Sequence, residues 1–376
     1  MSNSSEVLAP DVLVNMLWCV PGKVGGSEEY LVRQLLGLAE AHEGSSYRIT
    51  VAGARGLAAT HPELTAAGIA VVEPEFESHH RVRRIIGEST WLRRRVSAAA
   101  LVHHGGGTAP PRAHLPFVLT IHDLQFRTYP EYFSRLKRAY LGAVIPPSAR
   151  RATVVAVPSD YVRDSVVAAY RVPAERVMVV PHGIEPALTQ AVTPADELRA
   201  LYDLGDGPVI VYPAVTHPHK QHEFLLRMMA EHWTDPDLRL VLTGGAGFAE
   251  PMVAACTDPR VRRLGRVPAE HRNGLLAMAD AMVFPSQYEG FGAPLIEAMT
   301  LGCPVVCSDA TCMPGIVADA GIVRPLTPEG WAGVLDEVRS RRAELVAAGH
   351  LRALDFTARA SGSALAAVYA RALQAS

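Results

Sequence analysis

No run of about 18 apolar residues occurs along the chain, so no segment is expected to cross a membrane as a helix. Cysteine is scarce: the 376 residues hold five, an odd and scattered set that does not read as a disulfide framework. Charge is nearly balanced, with a formal net charge of −2, so nothing draws the whole chain toward nucleic acid. The amino end, MSNSSEVLAP, lacks the basic-then-apolar layout of a signal peptide. Together these absences predict a cytoplasmic protein with no nucleic-acid partner. Low-complexity tracts and short repeats are missing too, which excludes a solenoid. Two nucleotide motifs are also absent. No G-x-G-x-x-G survives, because GGAGFAE places Glu250 where the third small residue belongs, and no G-x-x-x-x-G-K-[ST] loop occurs. Both gaps weigh against an NAD-dependent oxidoreductase, the competing enzyme class, and against a P-loop protein.

What remains is an ordinary globular composition, 49% hydrophobic and 20% charged, at a length suited to two domains. Short apolar runs alternate with amphipathic stretches, the pattern of parallel sheets covered by helices. The runs are VLVNMLWCV, YRITVAG, IAVVEP, ALVHH, PFVLTIHD, TVVAVPS and VMVVPHG, then PVIVYPA, LRLVLTGG, VRRLGRV, AMVFPS and CPVVCSD. Segments such as SEEYLVRQLLGLAEAH and DYVRDSVVAAYRV supply the helices. The polar stretch EPALTQAVTPADELRALYDLGDGP separates the halves, which sets the domain switch near Glu185. The expected fold is α/β: two Rossmann-like, doubly wound domains, residues 1–185 and 186–355, facing across a cleft. Residues 356–376 form a closing helix, which either caps the second domain or packs back on the first. Ligands of such sheets bind at the carboxyl ends of strands.

Several loops carry candidate chemistry. In PGKVGGSEEY, Gly25 and Gly26 would let backbone amides approach an anion, with Ser27 as a helix cap; an ordinary strand-to-helix turn has the same composition. In YPAVTHPHKQHEF, Lys220 stands at a strand-to-helix junction, where an ammonium can meet a diphosphate. His217, His219 and His222 beside it fit no tight zinc spacing. In YEGFGAPLIEAM, two carboxylates, Glu289 and Glu297, bracket a loop containing Gly290, Phe291 and Gly292. Pro294 suits the start of a helix near Ala293, whose free amides and positive end favour an anion. A carboxylate accepts well from paired sugar hydroxyls, although two acids near a helix start are also favoured by its dipole alone. Asp235-Pro236-Asp237 reads as a polar turn and not a metal motif. Cys303, Cys307 and Cys312 read as buried packing.

The segment PSQYEGFGAPLIEAMTLGCPVVCSD resembles the signature of family-four retaining glycosyltransferases, nucleotide-sugar enzymes of the two-domain GT-B architecture. GGSEEY, IHDLQF, VPSDYVRDS, VVPHGIEP, PHKQH and LGRVPAEHRNGLLAMADAMVFPS follow in family order, so the resemblance covers nearly the whole chain. It implies that Glu297 binds the ribose of the donor nucleotide and that Glu289 sits beside the donor sugar. It further implies that amides of Gly290, Phe291 and Gly292 hold the hexose, while Lys220 and the Gly25-Gly26 loop neutralise the diphosphate. His122 would lie near the transferred sugar, and the backbone at Arg266-Val267 would meet the base. The implied reaction moves a hexose, mannose-type or related, from a GDP- or UDP-sugar to a saccharide or lipid-linked acceptor, as in cell-envelope polysaccharide biosynthesis. No metal or other cofactor is expected, and front-face attack with phosphate as base is the preferred course. Two positions depart from the family: Ala214-Val215 replaces a glycine-arginine pair, with His219 as a candidate substitute cation, and Gly315 replaces a glutamate. The remaining alternatives are an inactive nucleotide-sugar-binding module, against which Glu289, Lys220 and His122 speak, and a nucleotide-sugar epimerase of the same architecture, with which fewer motifs agree.

The acceptor side is less defined. HHRVRRIIGESTWLRRRV gathers six arginines with Ile85, Ile86 and Trp91, as in a basic amphipathic helix. It reads either as a peripheral contact with an anionic membrane surface or as a solvated face. HHGGGTAP, from His103, reads as a lining of the acceptor side or as a plain turn.

Overall fold

The computed structural model describes residues 9–21, 26–41, 46–78, 80–113, 116–184 and 186–375. Every apolar run named above forms a strand. In the first half these are β1 (Asp11–Met16), β2 (Arg48–Gly53), β3 (Ala70–Val72), β4 (Leu101–His104), β5 (Phe117–Thr120), β6 (Val154–Val157) and β7 (Val177–Val179). They pair in parallel in the order β3-β2-β1-β4-β5-β6-β7. β4, β5 and β6 are buried along their whole length. Strands covered on both faces have no solvent side to fill, so their sequences show apolar runs without alternation.

The second sheet comprises β8 (Val209–Pro213), β9 (Arg239–Thr243), β10 (Val261–Gly265), β11 (Ala281–Phe284), β12 (Val305–Ser308) and β13 (Ile322–Arg324). Its parallel order is β10-β9-β8-β11-β12-β13. β13 was not anticipated. Three residues are too few for a periodic signal, and pairing with β12, from Val306↔Ile322 onward, decides the assignment. In each sheet the strand order reverses beside the first strand, at β1/β4 and at β8/β11, the doubly wound arrangement.

The chain divides into two compact units, Met1–Gly183 with Thr357–Ser376, and Ile184–Phe356. Glu185, where the sequence set the switch, lies outside the described residues. The polar stretch that follows is not a free linker. It contains the helix Ala195–Tyr202, and Asn273 Nδ2 donates to the carbonyls of Leu188 (3.0 Å) and Ala191 (3.1 Å).

The closing helix, Ala358–Gln374, belongs to the first unit and not to the second. Thr357 caps it by accepting from the Ala360 amide. It crosses the helix Gly26–Glu40 at a pair of glycines. A Cβ on Gly362 would stand 2.1 Å from the Gly37 carbonyl carbon, and one on Gly37 would stand 1.9 Å from the Ala358 oxygen. Buried hydrogen bonds fix the register: Ser361 Oγ to the Pro181 carbonyl (2.6 Å), Tyr369 OH with His103 Nδ1 (2.9 Å), and Tyr47 OH to the Ala366 carbonyl (3.1 Å). His103 thereby belongs to the core and not to any lining: Thr120 Oγ1 holds its Nε2, and burial pushes its imidazole down to about 3.

Candidate active site

In the second unit the site grows from three loops that leave β8, β11 and β12. After β8 the chain makes a short 3-10 turn, Pro218–Lys220, and Gln221 adopts a left-handed conformation (φ 55°) before the helix His222–Glu231. The loop after β11 docks on this turn, since the Gln287 amide donates to the His219 carbonyl at 2.8 Å. A buried hydroxyl network ties the strand ends beneath. Tyr212 OH donates to the Lys220 carbonyl (2.7 Å) and pairs with Ser286 Oγ (3.2 Å), while Ser308 Oγ donates to the Ser286 carbonyl (2.5 Å). Each hydroxyl meets a partner, as burial requires.

On this base Lys220 Nζ donates to Glu289 Oε1 at 2.5 Å, with side-chain exposures of 18% and 13%. The Glu289 backbone is gripped from the loop after β12. Its amide donates to Thr311 Oγ1 (3.1 Å), and its carbonyl accepts from Cys312 Sγ (3.3 Å). Thr311 holds φ 56°, uncommon for a β-branched residue, and so presents its hydroxyl to that amide. Gly292, at φ 84°, then turns the chain into the helix Ala293–Thr300, with Pro294 in its first turn. Glu297 lies buried one turn into this helix, its Oε2 4.0 Å from Arg272 Nη1. Gly290 and Phe291 fall between Glu289 and the helix start, and Val267 is the second residue after β10. Lys220, Glu289, Gly290, Phe291, Gly292, Ala293, Glu297 and Val267 all belong to one unit, on segments that follow strand ends or open a helix.

The histidines beside Lys220 do not extend this charge. Burial, reinforced by Lys220 and the neighbouring imidazoles, pushes His219 down to about 3, so it is neutral near pH 7. In the unliganded chain it therefore adds no positive charge to make up for Ala214-Val215. His222 is buried against the Tyr212 ring, centroids 4.9 Å apart, and burial lowers it to about 4. Among the described residues no group of three or more His, Cys, Asp or Glu is placed to hold a metal ion. Asp235 and Asp237 form a turn in which the Asp237 amide donates to Asp235 Oδ1. Glu250 is a clamp, accepting from Thr216 Oγ1 (2.7 Å) and from two nitrogens of Arg263 (2.9 and 3.1 Å). Cys303, Cys307 and Cys312 are buried, and burial raises each thiol, so none is a thiolate near neutrality.

The first unit holds the other candidates. Gly25 lies outside the described residues, and Gly26 opens the helix Gly26–Glu40. Two residues on, Glu28 is buried and bonded to His61 Nε2 at 3.0 Å, while Glu63 holds the other ring nitrogen at 2.8 Å. The Glu28 hydrogen bond leads in pushing His61 up to about 9. His122 Nε2 bonds to the Gly105 carbonyl at 2.8 Å, so that nitrogen carries a proton. Burial lowers the ring's pKa, the Trp18 and Tyr30 rings flank it, and His122 is a neutral, oriented imidazole. Pattern reading missed the supports, Tyr212, Ser286, Thr311, Cys312 and Arg272, because their partners lie far away in the chain. The one local signal was Ser308, the polar residue that ends the otherwise apolar strand β12.

Comparison with known proteins identifies the family and the fold. A family model described as Glycosyltransferase Family 4 matches residues 24–188, and one described as Glycosyl transferases group 1 matches residues 207–341. The chain belongs to the family-four glycosyltransferases, with two Rossmann-like domains. It is 30% identical over 231 residues to the O-antigen chain mannosyltransferase B of Escherichia coli, which is 59% of this chain and 60% of that relative. The match thus spans about three fifths of the mannosyltransferase's length. The alpha-D-kanosaminyltransferase of Streptomyces kanamyceticus is 29% identical over 305 residues, 74% of this chain and 78% of the relative. The fold is shared with the sucrose-phosphate synthase of Thermosynechococcus elongatus (TM-score 0.76, 18% identity, 98% and 100% of the two chains). It is shared equally with Anabaena HepE, solved with UDP and glucose (TM-score 0.73, 19% identity, 96% and 99%).

Proposed function

We propose that this protein transfers a hexose, mannose-type or related, from a GDP- or UDP-sugar to a saccharide or lipid-linked acceptor, with retention and without a metal. The observation that carries this reading is the Lys220–Glu289 pair, gripped by loops from three strands beside the start of the helix Ala293–Thr300. Cleavage of a sugar–phosphate bond leaves negative charge on the diphosphate, and a fixed ammonium beside the positive end of a helix stabilises it as it forms. In this reading Lys220 exchanges part of its contact with Glu289 for the diphosphate. The second Glu289 oxygen and the amides of Gly290, Phe291 and Gly292 receive the hexose hydroxyls, and Glu297 receives the ribose. The neutral His122, whose Nε2–H is held by the Gly105 carbonyl, offers Nδ1 as an acceptor for a sugar hydroxyl without adding charge. The mannosyltransferase and kanosaminyltransferase relatives support a glycosyl donor.

A thermal-shift panel of GDP-, UDP- and dTDP-sugars, followed by product detection with the best ligand, tests this function. Absence of any shift would sink it. A sugar adduct accumulating on Glu289 in intact-protein mass spectra would replace front-face attack by a covalent route.

A lipid-linked acceptor suits the arginine-rich segment, which forms helical turns over Arg81–Gly87 and Arg93–Val96 joined by a π-turn, Glu88–Leu92. Val82 and Ile86 are exposed near Arg83, as are Arg93, Arg94 and Arg95. Flotation with anionic liposomes that is lost on reversing the charge of Arg93, Arg94 and Arg95 supports a membrane contact, and no flotation of the native chain ends that part. Among the described residues no helix is long and apolar enough to cross a membrane.

A further inference from the structure

The first unit contains a cavity of about 730 Å³. Its size falls in the range of small-molecule sites. Leu92, Val96, Pro110 and Pro111 give it apolar walls, and Glu88 and His104 give it polar ones. Both polar side chains are oriented from behind by Asn15, at the end of β1 and 1% exposed. The Leu17 amide donates to Asn15 Oδ1 at 3.1 Å, which leaves Nδ2 as the amide's donor. Asn15 Nδ2 then faces Glu88 Oε1 at 3.3 Å and His104 Nδ1 at 3.2 Å, one hydrogen for each.

This arrangement fixes the tautomer of His104. Burial pushes its imidazole down to about 3, so the ring is neutral, and Nδ1 accepts from Asn15. The ring proton therefore sits on Nε2. That atom is buried and has no hydrogen-bond partner, in a side chain 2% exposed that lines the cavity. A buried donor without an acceptor is unfavourable until a ligand supplies one. Glu88 offers the reverse, a partly buried acceptor on the π-turn Glu88–Leu92. Such turns concentrate at functional sites. Gly87 permits this turn to pack, since a Cβ there would stand 2.1 Å from Phe76 Cζ.

A donor and an acceptor that line one cavity and are oriented by one amide match sugar hydroxyls, which both accept and donate. Apolar walls beside them match the C–H face of a sugar ring. We infer that Asn15, Glu88 and His104 form a hydroxyl-reading site for a pyranose, the seat of the acceptor saccharide. The assignment to the acceptor rests on the transferase reading above, whereas the binding of a pyranose does not.

The test uses the full chain without any nucleotide sugar. Methyl α-D-mannopyranoside and methyl α-D-glucopyranoside serve as probes at tens of millimolar, with saturation-transfer NMR as the readout. At least one should bind, and Glu88→Met should weaken it by roughly tenfold or more, as expected for loss of a charge-assisted hydrogen bond. Ser89 is exposed and lines the same cavity, so Ser89→Trp should block binding while the thermal midpoint stays near that of the native chain. A single deoxy analogue should lose affinity for the native chain yet show no further loss with Glu88→Met. No binding of either glycoside to the native chain overturns the inference, as does equal binding by both variants. Failure of the transferase reading looks different: no nucleotide sugar binds, while the glycoside is still lost on Glu88→Met.

Discussion

Removing the Lys220 ammonium tests the site where structure and chemistry are most tightly joined. Lys220→Met keeps the apolar stem of the side chain and leaves the Glu289 carboxylate, 13% exposed, without its 2.5 Å partner. Two unit charges 4 Å apart in an effective dielectric near 20 attract by about 4 kcal/mol, much of which their desolvation cancels. A net loss of about 1–3 kcal/mol is therefore expected for either single variant, Lys220→Met or Glu289→Gln. In a domain the size of the second unit this lowers the thermal midpoint by about 2–4 °C per kcal/mol. The double variant removes both charges together and should lose less than the sum, a coupling of about 1–3 kcal/mol. Turnover of the donor found in the thermal-shift panel should fall about 10²–10³-fold in Lys220→Met, the usual effect of deleting one fixed donor at a developing anion. Differential scanning calorimetry and initial-rate kinetics supply the two readouts. Additive midpoint shifts would show that the pair contributes no coupling, and unchanged turnover would remove Lys220 from the diphosphate.

Three further perturbations probe separate features. Glu297→Ala should weaken donor binding by roughly 10–100-fold in calorimetric titration, because two hydroxyls lose a charged acceptor; unchanged affinity would detach Glu297 from the ribose. His61 is raised to about 9 chiefly by its Glu28 hydrogen bond, so its protonated form stabilises the fold. That contribution, up to about 3 kcal/mol, is fully present below pH 6.5 and lost as pH rises through about 9. His61→Gln should flatten the thermal midpoint against pH over that window, and an unchanged slope would assign the dependence elsewhere. Gly362→Ala places a Cβ 2.1 Å from the Gly37 backbone and should cost about 1–3 kcal/mol or more. Limited proteolysis should then release the closing helix faster than in the native chain.

The central strands were legible because parallel strands buried on both faces leave a contiguous apolar run, whereas the edge strands β3 and β10 are at most half-buried. β13 was not legible, because three residues carry no period and only pairing with β12 identifies them. The helix Arg135–Arg151 was equally hidden, since Pro146 and Pro147 inside it read as breaks. The loop after β11 could be recognised from its two glutamates, its glycines and Pro294, each tied to a local backbone need. His219 as a replacement cation was an expectation from the resemblance, and burial keeps its imidazole neutral in the unliganded chain. Burial depends on every neighbour that packs around a side chain, and no window of sequence contains those neighbours.

By itself, then, the sequence determined what is local: the alternation of strand and helix, the left-handed glycine before Ala293, and the presence of Lys220, Glu289 and Glu297 beside strand ends. Tertiary structure decided what depends on distant partners. It joined Lys220 to Glu289 across 69 residues, fastened Glu289 to Thr311 and Cys312, and returned the closing helix to the first unit. It also oriented Glu88 and His104 through Asn15, which lies 73 and 89 residues away in the chain. Hydrogen bonds and close glycine contacts act over a few ångströms, so their partners are chosen by the packing of whole sheets.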